Sequence, residues 1–369
     1  MTALAPLAAP SPQLAGYANL ALYSAMVVFT VAMLLYAAYL AALGPASGRA
    51  DKAAQLVAPE RELVTAGGRA AAESTGSGVT QAVTRGDEPP AGDPAPSAGD
   101  AAYPGPSVRA RKLAGSATSM TWLATALLVG SIALRGLSVM RPPWGNMFEF
   151  ATAGAAAAAV AFSVLVKRNR WEWLGLFVVG PVLLTLGTAL LAFYTEAAEL
   201  MPALKSVWLV IHVVVAILAV GLFALAFSVG VVYLLRVRRE SASLDPVDAS
   251  TPPRGRRWDA FLDALPSATR LERTAYGLAM VGFILWTFTL VAGAIWAQKA
   301  WGSYWTWDPK EVWTFVVWVV YAAYMHARAT AGWEPRKAMW IAIAGFVTVV
   351  VNFAVVNVFF VGQHSYSGL

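Results

Sequence analysis

The chain has 369 residues, of which 58% are hydrophobic and only 13% are charged. Soluble domains carry about 25% charged residues, so this composition excludes an ordinary soluble protein and is typical of a helical membrane protein. The chain contains no cysteine, which excludes disulfides, thiolate metal ligands and covalent chemistry through its own thiols. The net charge of +6 does not indicate nucleic-acid binding, because the basic residues cluster at the ends of hydrophobic segments.

Hydrophobic segments long enough to cross a bilayer recur along the chain. Together they predict an all-α polytopic membrane protein with about eight transmembrane helices. The predicted spans, one to eight, are residues 17–43, 118–137, 149–166, 172–194, 206–235, 274–297, 311–329 and 337–360.

Residues 44–117 differ in composition from the hydrophobic segments on either side. They are rich in Ala, Gly, Pro, Ser and acidic residues, as in Glu-Pro-Pro-Ala-Gly-Asp-Pro at residues 88–94. Such a segment has little apolar surface to bury, which predicts a disordered cytoplasmic linker. The sequence therefore divides into an N-terminal transmembrane helix at residues 1–43, this linker, and a seven-helix domain at residues 118–369.

Positive charge is distributed unevenly between the two sides of the predicted membrane. Of the 27 Lys and Arg residues, 22 lie in the segments that follow spans one, three, five and seven. Cytoplasmic loops carry the excess of Lys and Arg, so both termini are predicted to lie outside. We therefore expect a multi-pass protein of the bacterial cytoplasmic membrane, with the loop at residues 298–310 on the extracytoplasmic side.

That loop, between spans six and seven, is unusually aromatic. Trp301, Tyr304, Trp305 and Trp307 lie within seven residues and are followed directly by Asp308. Flat aromatic faces with a few polar groups suit a flat, apolar, partly charged ligand such as a porphyrin. The alternative interpretation is an interfacial belt, since Trp and Tyr collect where the bilayer meets water.

Three histidines are present, and neutral imidazole is a strong axial ligand for haem iron. His212 lies six residues into span five, roughly 9 Å below the outer surface. His364 follows span eight on the same side, so these two can ligate one iron. His326 lies 15 residues into span seven, roughly 22 Å down, and can serve only a second, deeper haem. The other ligand of that haem would come from another subunit, or from none.

Structural roles are the alternative for each of these residues. Asp308 is a good N-cap, with Pro at the first helical position and Glu at the third, so a helix is predicted to begin near Pro309. Asn146 suits the N-cap of span three as well as direct ligand contact. A histidine at a membrane interface can be a snorkelling polar residue, and His326 can bond to nearby Arg328.

Five segments resemble the motifs of one protein family. They resemble its tryptophan-rich "WWD" signature, first external-histidine region, membrane-embedded His-x-Arg, second external-histidine region and a further outer-loop segment. In that order they are residues 301–308, 204–212, 324–328, 362–366 and 143–149, the last with Phe148 where Tyr is more usual. On these segments, residues 118–369 and span one resemble the CcsA (ResC) family, the haem-handling half of the System II cytochrome c synthase. CcmC and CcmF share the aromatic signature, but eight spans and the His-Ser-Tyr end favour CcsA.

The resemblance implies that haem b is both substrate and ligand, at two sites. Haem enters from the cytoplasm at His326, where a CcsB (ResB) partner supplies the other ligand, and then moves outward to His212 and His364. There the thiols of the Cys-x-x-Cys-His motif of an apocytochrome c add across the haem vinyl groups. The implied activity is that of a cytochrome c synthase working with this partner, supported indirectly by a thioredoxin-like thiol reductant.

The remaining candidate residues follow from this interpretation. Trp301, Tyr304, Trp305 and Trp307 would wall the porphyrin, and Lys310 is a candidate partner for a haem propionate. Asp308 is a candidate catalytic residue, with helix capping as the alternative. Two other functions stay open: a haem exporter or chaperone that forms no covalent bond, and a membrane protein that binds no haem, such as a transporter or a structural subunit.

Overall fold

The computed structural model describes residues 11–72, 107–198, 204–244 and 261–364, and these residues are almost entirely helical. A 3₁₀ turn at Glu172–Leu174 precedes α4, and a π turn at Val351–Val355 joins α8 to α9. The helices are α1 (Pro12–Ala72), α2 (Val108–Ser138), α3 (Met147–Asn169), α4 (Gly175–Ala192), α5 (Val207–Leu244), α6 (Ala268–Trp301), α7 (Pro309–Ala329), α8 (Pro335–Val350) and α9 (Val356–Phe359).

The predicted all-α polytopic architecture is confirmed. The part of the chain that the structure describes contains no strand, and seven of its helices are long and apolar enough to cross a membrane. The remaining predicted span, span seven, is α7, which is helical over 21 residues but is not among those seven. Helix α7 has Lys310 and Glu311 in its first turn and His326 and Arg328 in its last turn, and these polar ends shorten its apolar stretch. Which side each terminus faces stays a prediction.

Helix α1 continues well beyond the predicted end of the first span. It extends to Ala72. Residues 44–72 contain nine alanines, which favour a helix, together with four glycines and two prolines, which do not. The linker proposed for residues 44–117 stays a prediction. Helix α2 likewise begins at Val108 rather than 118, with Ser107 as its N-cap. Residues 73–106 of the predicted linker lie outside the described residues.

Two helix starts that position the site follow from their N-cap residues. At α7, the Asp308 side chain accepts a hydrogen bond from the Lys310 backbone N–H at 2.9 Å. Glu311 accepts one in return from the Asp308 backbone N–H at 3.2 Å, completing the capping box that was predicted. At α3, Asn146 Oδ1 accepts from the Glu149 backbone N–H at 2.9 Å, which is the predicted capping role.

Small residues bring α5 close to both α3 and α6. A Cβ atom on Gly221 of α5 would lie 3.1 Å from the Ala157 side chain of α3. A Cβ atom on Gly282 of α6 would lie 2.8 Å from the ring of Phe223 on α5. The run of small residues in α3 allows this close approach, because Gly and Ala side chains leave the two backbones room. Side chains in the first turns of α5 therefore face α3 and α6 directly.

Candidate functional site

A cavity of about 590 Å³ lies between helices α3, α4, α5, α6, α7 and α8. Its walls are mostly apolar, and its lining includes His212, His364, Trp144, Trp296 and Lys310. We call it the histidine cavity. Its volume is within the range of about 300–1,000 Å³ that is usual for small-molecule and cofactor sites. Two of the three histidines, predicted from sequence to face one ligand, thus share a single cavity.

His212 is held against α6 by a hydrogen bond and by an aromatic contact. Its Nδ1 lies 2.9 Å from the backbone carbonyl oxygen of Thr289. A carbonyl only accepts, so Nδ1–H donates and the neutral ring keeps its lone pair on Nε2. The imidazole is also nearly parallel to the indole of Trp296, at an angle of 13° and a centroid distance of 6.2 Å. These contacts fix both the tautomer and the plane of the ring.

The approach of His212 to α6 depends on Gly293. A Cβ atom at this position would lie 2.7 Å from Cε1 and 2.9 Å from Nδ1 of the His212 ring. Real Cβ atoms do not come so close, so any other residue would push the imidazole away from the Thr289 carbonyl. Gly293 is one helical turn after Thr289, and its lack of a side chain leaves the space that the imidazole occupies.

His364 is oriented in the same way by a different group. Its Nδ1 lies 2.9 Å from Asp308 Oδ1, so Nδ1–H donates to the carboxylate and Nε2 again carries the lone pair. The ring packs edge-on against Trp301 at 4.8 Å and against Trp296 at 5.7 Å between centroids. A carboxylate partner at Nδ1 is the arrangement commonly found behind metal-binding histidines.

Trp296 contacts the rings of both His212 and His364. The imidazoles of His212 and His364 are therefore neighbours at one end of the histidine cavity. In the described part of the chain, no group of three or more His, Asp or Glu side chains could hold a bare metal ion. Two imidazoles are enough for a metal ion that already has its other ligands. Iron in a porphyrin is such an ion, because the porphyrin nitrogens supply those ligands.

Asp308 ties the segment after α9 to the start of α7. Besides capping α7 and accepting from His364, it accepts from the Gln363 backbone N–H at 2.5 Å. Burial alone would raise its pKa, but the bonds from His364, Lys310 and Gln363 outweigh burial and hold the pKa below the ordinary value. Asp308 is therefore a carboxylate at neutral pH, and its contacts assign it a role in positioning His364.

The aromatic loop is only partly turned towards the histidines. Trp301, the last residue of α6, packs against Trp296 and His364. Trp305 and Trp307 contact each other edge-on at 5.7 Å, whereas Tyr304 and Trp307 are 61% and 77% exposed. Neither Trp301 nor the other three loop aromatics are in the cavity lining, which takes indoles from Trp144, Trp286 and Trp296. Contact of the loop aromatics with a ligand stays a prediction.

Asn146 and Lys310 both line the histidine cavity, as their predicted contact with a ligand requires. Asn146 does so while capping α3, so the two interpretations of this residue are compatible. The loop that carries it is fixed by buried ion pairs from Arg135 and Arg141 to Glu149, at 2.9 and 2.8 Å. These pairs hold the segment that contains Trp144 at one wall of the cavity.

His326 is not brought together with the other two histidines. It is exposed near the end of α7, 16 residues and therefore roughly 24 Å along the helix from Lys310. It is not in the lining of the histidine cavity. The suggested bond to Arg328 does not form, because Arg328 pairs with the buried Glu272 and lies over the Tyr276 ring.

Sequence reasoning missed three residues that set the position of His212. Thr289, Gly293 and Trp296 lie on α6 at intervals of four and three residues. This spacing places them on one face of a helix, and it is the signal that could have found them. Trp144 was recognised only as part of a family segment, although its ring lines the cavity.

Comparison with known proteins gives the family. A family model described as "Cytochrome C assembly protein" matches residues 116–364, which is more than half of the chain. The chain therefore belongs to the cytochrome c assembly protein family.

Individual relatives give a finer assignment. "Cytochrome c biogenesis protein CcsA" of Prochlorococcus marinus (strain MIT 9313) is 34% identical over 273 residues, covering 68% of this chain and 83% of its own length. CcsA of Synechococcus sp. (strain CC9311) is 32% identical, covering 70% of this chain and 90% of its own length. CcsA of Parasynechococcus marenigrum (strain WH8102) is 33% identical, with corresponding coverages of 66% and 84%. The predicted membership of the CcsA family is confirmed, and with it a role in cytochrome c biogenesis.

Proposed function

We propose that this protein holds haem b in the histidine cavity, with His212 and His364 as the two axial ligands of the iron. One observation carries the proposal: both imidazoles line one cavity, both contact the same indole, and each has its Nδ1 engaged in a hydrogen bond. Each ring therefore has Nε2 available for iron. The cytochrome c assembly family supports haem as the cargo.

The surrounding residues prepare the ligands rather than react. Thr289 and Asp308 hold the two rings in the tautomer that binds metal, and Trp296 keeps the rings adjacent. Two imidazole ligands keep the iron low-spin and leave no open position for oxygen. Haem that is held in this way presents its vinyl groups in a constant position. This lowers the entropic cost of the thioether-forming reaction.

The reaction proposed at this site is thioether formation with an apocytochrome c. Each thiol of its Cys-x-x-Cys-His motif adds across one haem vinyl group, so that sulfur bonds to one vinyl carbon and the proton goes to the other. The addition is neutral in electrons and needs no leaving group. This chain contains no cysteine, so its own side chains cannot compete for the vinyl groups.

The finer features of the proposal rest on the sequence. The histidine cavity and the aromatic loop face the extracytoplasmic side, where the apocytochrome and a thioredoxin-like reductant act. His326 serves an inner haem site. Its exposed position on α7 suits a site completed by a ligand from a CcsB (ResB)-type partner. Trp301, Tyr304, Trp305 and Trp307 would form the outer contact with haem.

Covalent attachment is what separates synthesis from simple haem delivery. The full chain is expressed with a CcsB-type partner and a reporter apocytochrome c, and haem is measured on the reporter after denaturation. We expect haem that stays attached to the reporter and is lost when both reporter cysteines are replaced by serine. Haem that is bound to this protein but is wholly extractable from the reporter would instead identify an exporter or chaperone. A colourless purified protein would contradict both functions.

Substituting Gly293 with alanine should displace His212. The new Cβ overlaps the imidazole and breaks its bond to Thr289, so we expect a ~10–100-fold loss of haem affinity, as for other partners that orient metal ligands. Absorption titration of the purified protein measures this loss. Gly277→Ala on the same helix is the matched control, because a Cβ there meets nothing within 4 Å. It should bind haem normally and unfold at an equal or slightly higher temperature.

Substituting His326 with alanine should lower the amount of haem that copurifies with the protein and its partner. The low-spin spectrum of the remaining haem should stay unchanged, because His212 and His364 are untouched. Phe315→Ala, at another exposed position on α7, is the control and should leave the haem content at its original level. A spectrum that changed in shape in the His326 variant would mean that this residue ligates the same iron as the other two.

A further inference from the structure

One corner of the histidine cavity is occupied by the side-chain nitrogen of Lys310. Lys310 Nζ donates to the backbone oxygen of Asn352 at 2.9 Å and to Asn357 Oδ1 at 3.0 Å, and both acceptors are neutral. None of the ion pairs formed among the described residues includes Lys310. An ammonium group that faces a mostly apolar cavity is stabilised by an anion, so the corner is prepared for a negatively charged group.

The π turn after α8 supplies one of the two bonds to Lys310. In a regular α-helix the carbonyl of Asn352 would accept from the Val356 backbone N–H. Here that N–H donates to the Val351 carbonyl, one residue further back. The Asn352 carbonyl is therefore released from the helix and can accept from Lys310 Nζ. Single π turns of this kind often mark functional positions in helices.

The side chain of Asn352 points to a ligand independently of Lys310. The residue is only 4% exposed and lines the cavity, and its Oδ1 has no hydrogen-bond partner. The amide orientation is fixed, because its Nδ2 donates to Thr314 Oγ1 at 3.3 Å, and that hydroxyl already donates to the Lys310 carbonyl at 2.7 Å. A buried acceptor beside a buried ammonium thus lacks the donor that it needs.

We propose that Lys310, Asn352 and Asn357 form a carboxyl-binding subsite in the histidine cavity. One carboxyl oxygen accepts from Lys310 Nζ, while the other, when protonated or bridged by a water molecule, donates to Asn352 Oδ1. The inference rests on the proposed function, because haem then supplies the carboxyl group as one of its propionates. The subsite turns the propionate edge towards the α7–α8 wall, so the vinyl groups across the ring point away from that wall.

The test compares haem with its dimethyl ester, in which both carboxyl groups are blocked. Both porphyrins are titrated by absorption into the purified full-length protein and into Lys310→Met. We expect the Lys310 substitution to weaken haem binding at least ~10-fold, as for the loss of a charge-assisted hydrogen bond in a dry site. The ester should bind equally to the two proteins. An equal loss for both porphyrins would show that Lys310 only supports the fold, and would overturn the proposal.

Asn352→Asp gives a second measurement that does not depend on the Lys310 variant folding. The new carboxylate neutralises Lys310 and repels the incoming one, so haem should lose affinity and the ester should not. Thr274→Val, on α6 and outside the cavity lining, is the matched control and should leave both affinities unchanged. A normal preference for haem in Asn352→Asp would contradict the subsite. If neither porphyrin gives a low-spin spectrum that depends on His212, the proposed function fails instead.

Discussion

Substituting either His212 or His364 with alanine should remove haem from the histidine cavity. Each variant loses one of two axial ligands, and the remaining imidazole has no second ring opposite it across the iron. We expect a loss of affinity larger than the ~10–100-fold typical of residues that only orient a ligand. The low-spin bis-imidazole absorption bands should disappear from the purified protein, and added imidazole should restore part of them.

Two results would contradict this prediction. A His212 variant that keeps the full low-spin spectrum would exclude it as a ligand, even though it lines the cavity. A spectrum lost in both variants but never rescued by imidazole would indicate a general loss of folding, which thermal unfolding of the same samples checks. Substituting both histidines together should cost little more haem than either single change, since the ligands act as one pair.

Substituting Asp308 with alanine should be the most damaging change outside the histidines. It removes the acceptor for His364 Nδ1, the acceptor for the Gln363 backbone N–H and half of the α7 capping box. We expect the free energy of unfolding to fall by about 1–3 kcal/mol. Haem affinity should fall ~10–100-fold, as measured by absorption titration alongside thermal unfolding.

Glu311→Ala is the matched control for that substitution. It breaks the other half of the same capping box but leaves the bond between Asp308 and His364 in place. Its cost should therefore appear in stability more than in haem affinity. If both variants lost haem equally, helix capping alone would explain the role of Asp308, and the positioning role would be wrong.

The stabilising effect of the Asp308 carboxylate should not vary near neutral pH. Its pKa in the folded protein lies below the ordinary value of 3.8, because hydrogen bonds from His364, Lys310 and Gln363 outweigh the effect of burial. A carboxyl group with a lowered pKa stabilises the fold above its unfolded pKa and loses this effect as the pH falls. Wild type and Asp308→Ala should therefore differ by a constant amount from about pH 5 to 8, and converge only in stronger acid.

Local patterns predicted the helices and their starts well. A hydrophobic run fixes a membrane helix almost regardless of what surrounds it, and Asp308, Pro309 and Glu311 define a helix start within four residues. The same reasoning ended the first helix at residue 43 and began the second at residue 118, whereas the helices extend to Ala72 and begin at Val108. An apolar run reports the membrane-spanning part of a helix and not its polar extension.

The histidine pair could be anticipated because depth along a helix follows from counting residues. The walls of the cavity could not, since they depend on how α6 packs against α5. The direction of the loop side chains was equally hidden from the sequence. It depends on the backbone of Gly302, which ends α6 with a φ of +78°, and of Trp307, with a φ of +62°. Together they leave Trp301 turned inward and Tyr304 and Trp307 turned outward.

The two imidazoles differ in which part of the protein must move before each can dissociate from a metal. His212 projects from the first turns of α5 and packs against Gly293 of α6, so its withdrawal would require α5 and α6 to separate. His364 follows the last helix on a short connection, where Asp308 accepts hydrogen bonds from the Gln363 backbone N–H and from His364 Nδ1. When the histidine of an arriving apocytochrome takes a place on the iron, we expect it to replace His364. Release of the finished cytochrome would then require only the segment that carries His364 to move, and the helices would keep their packing.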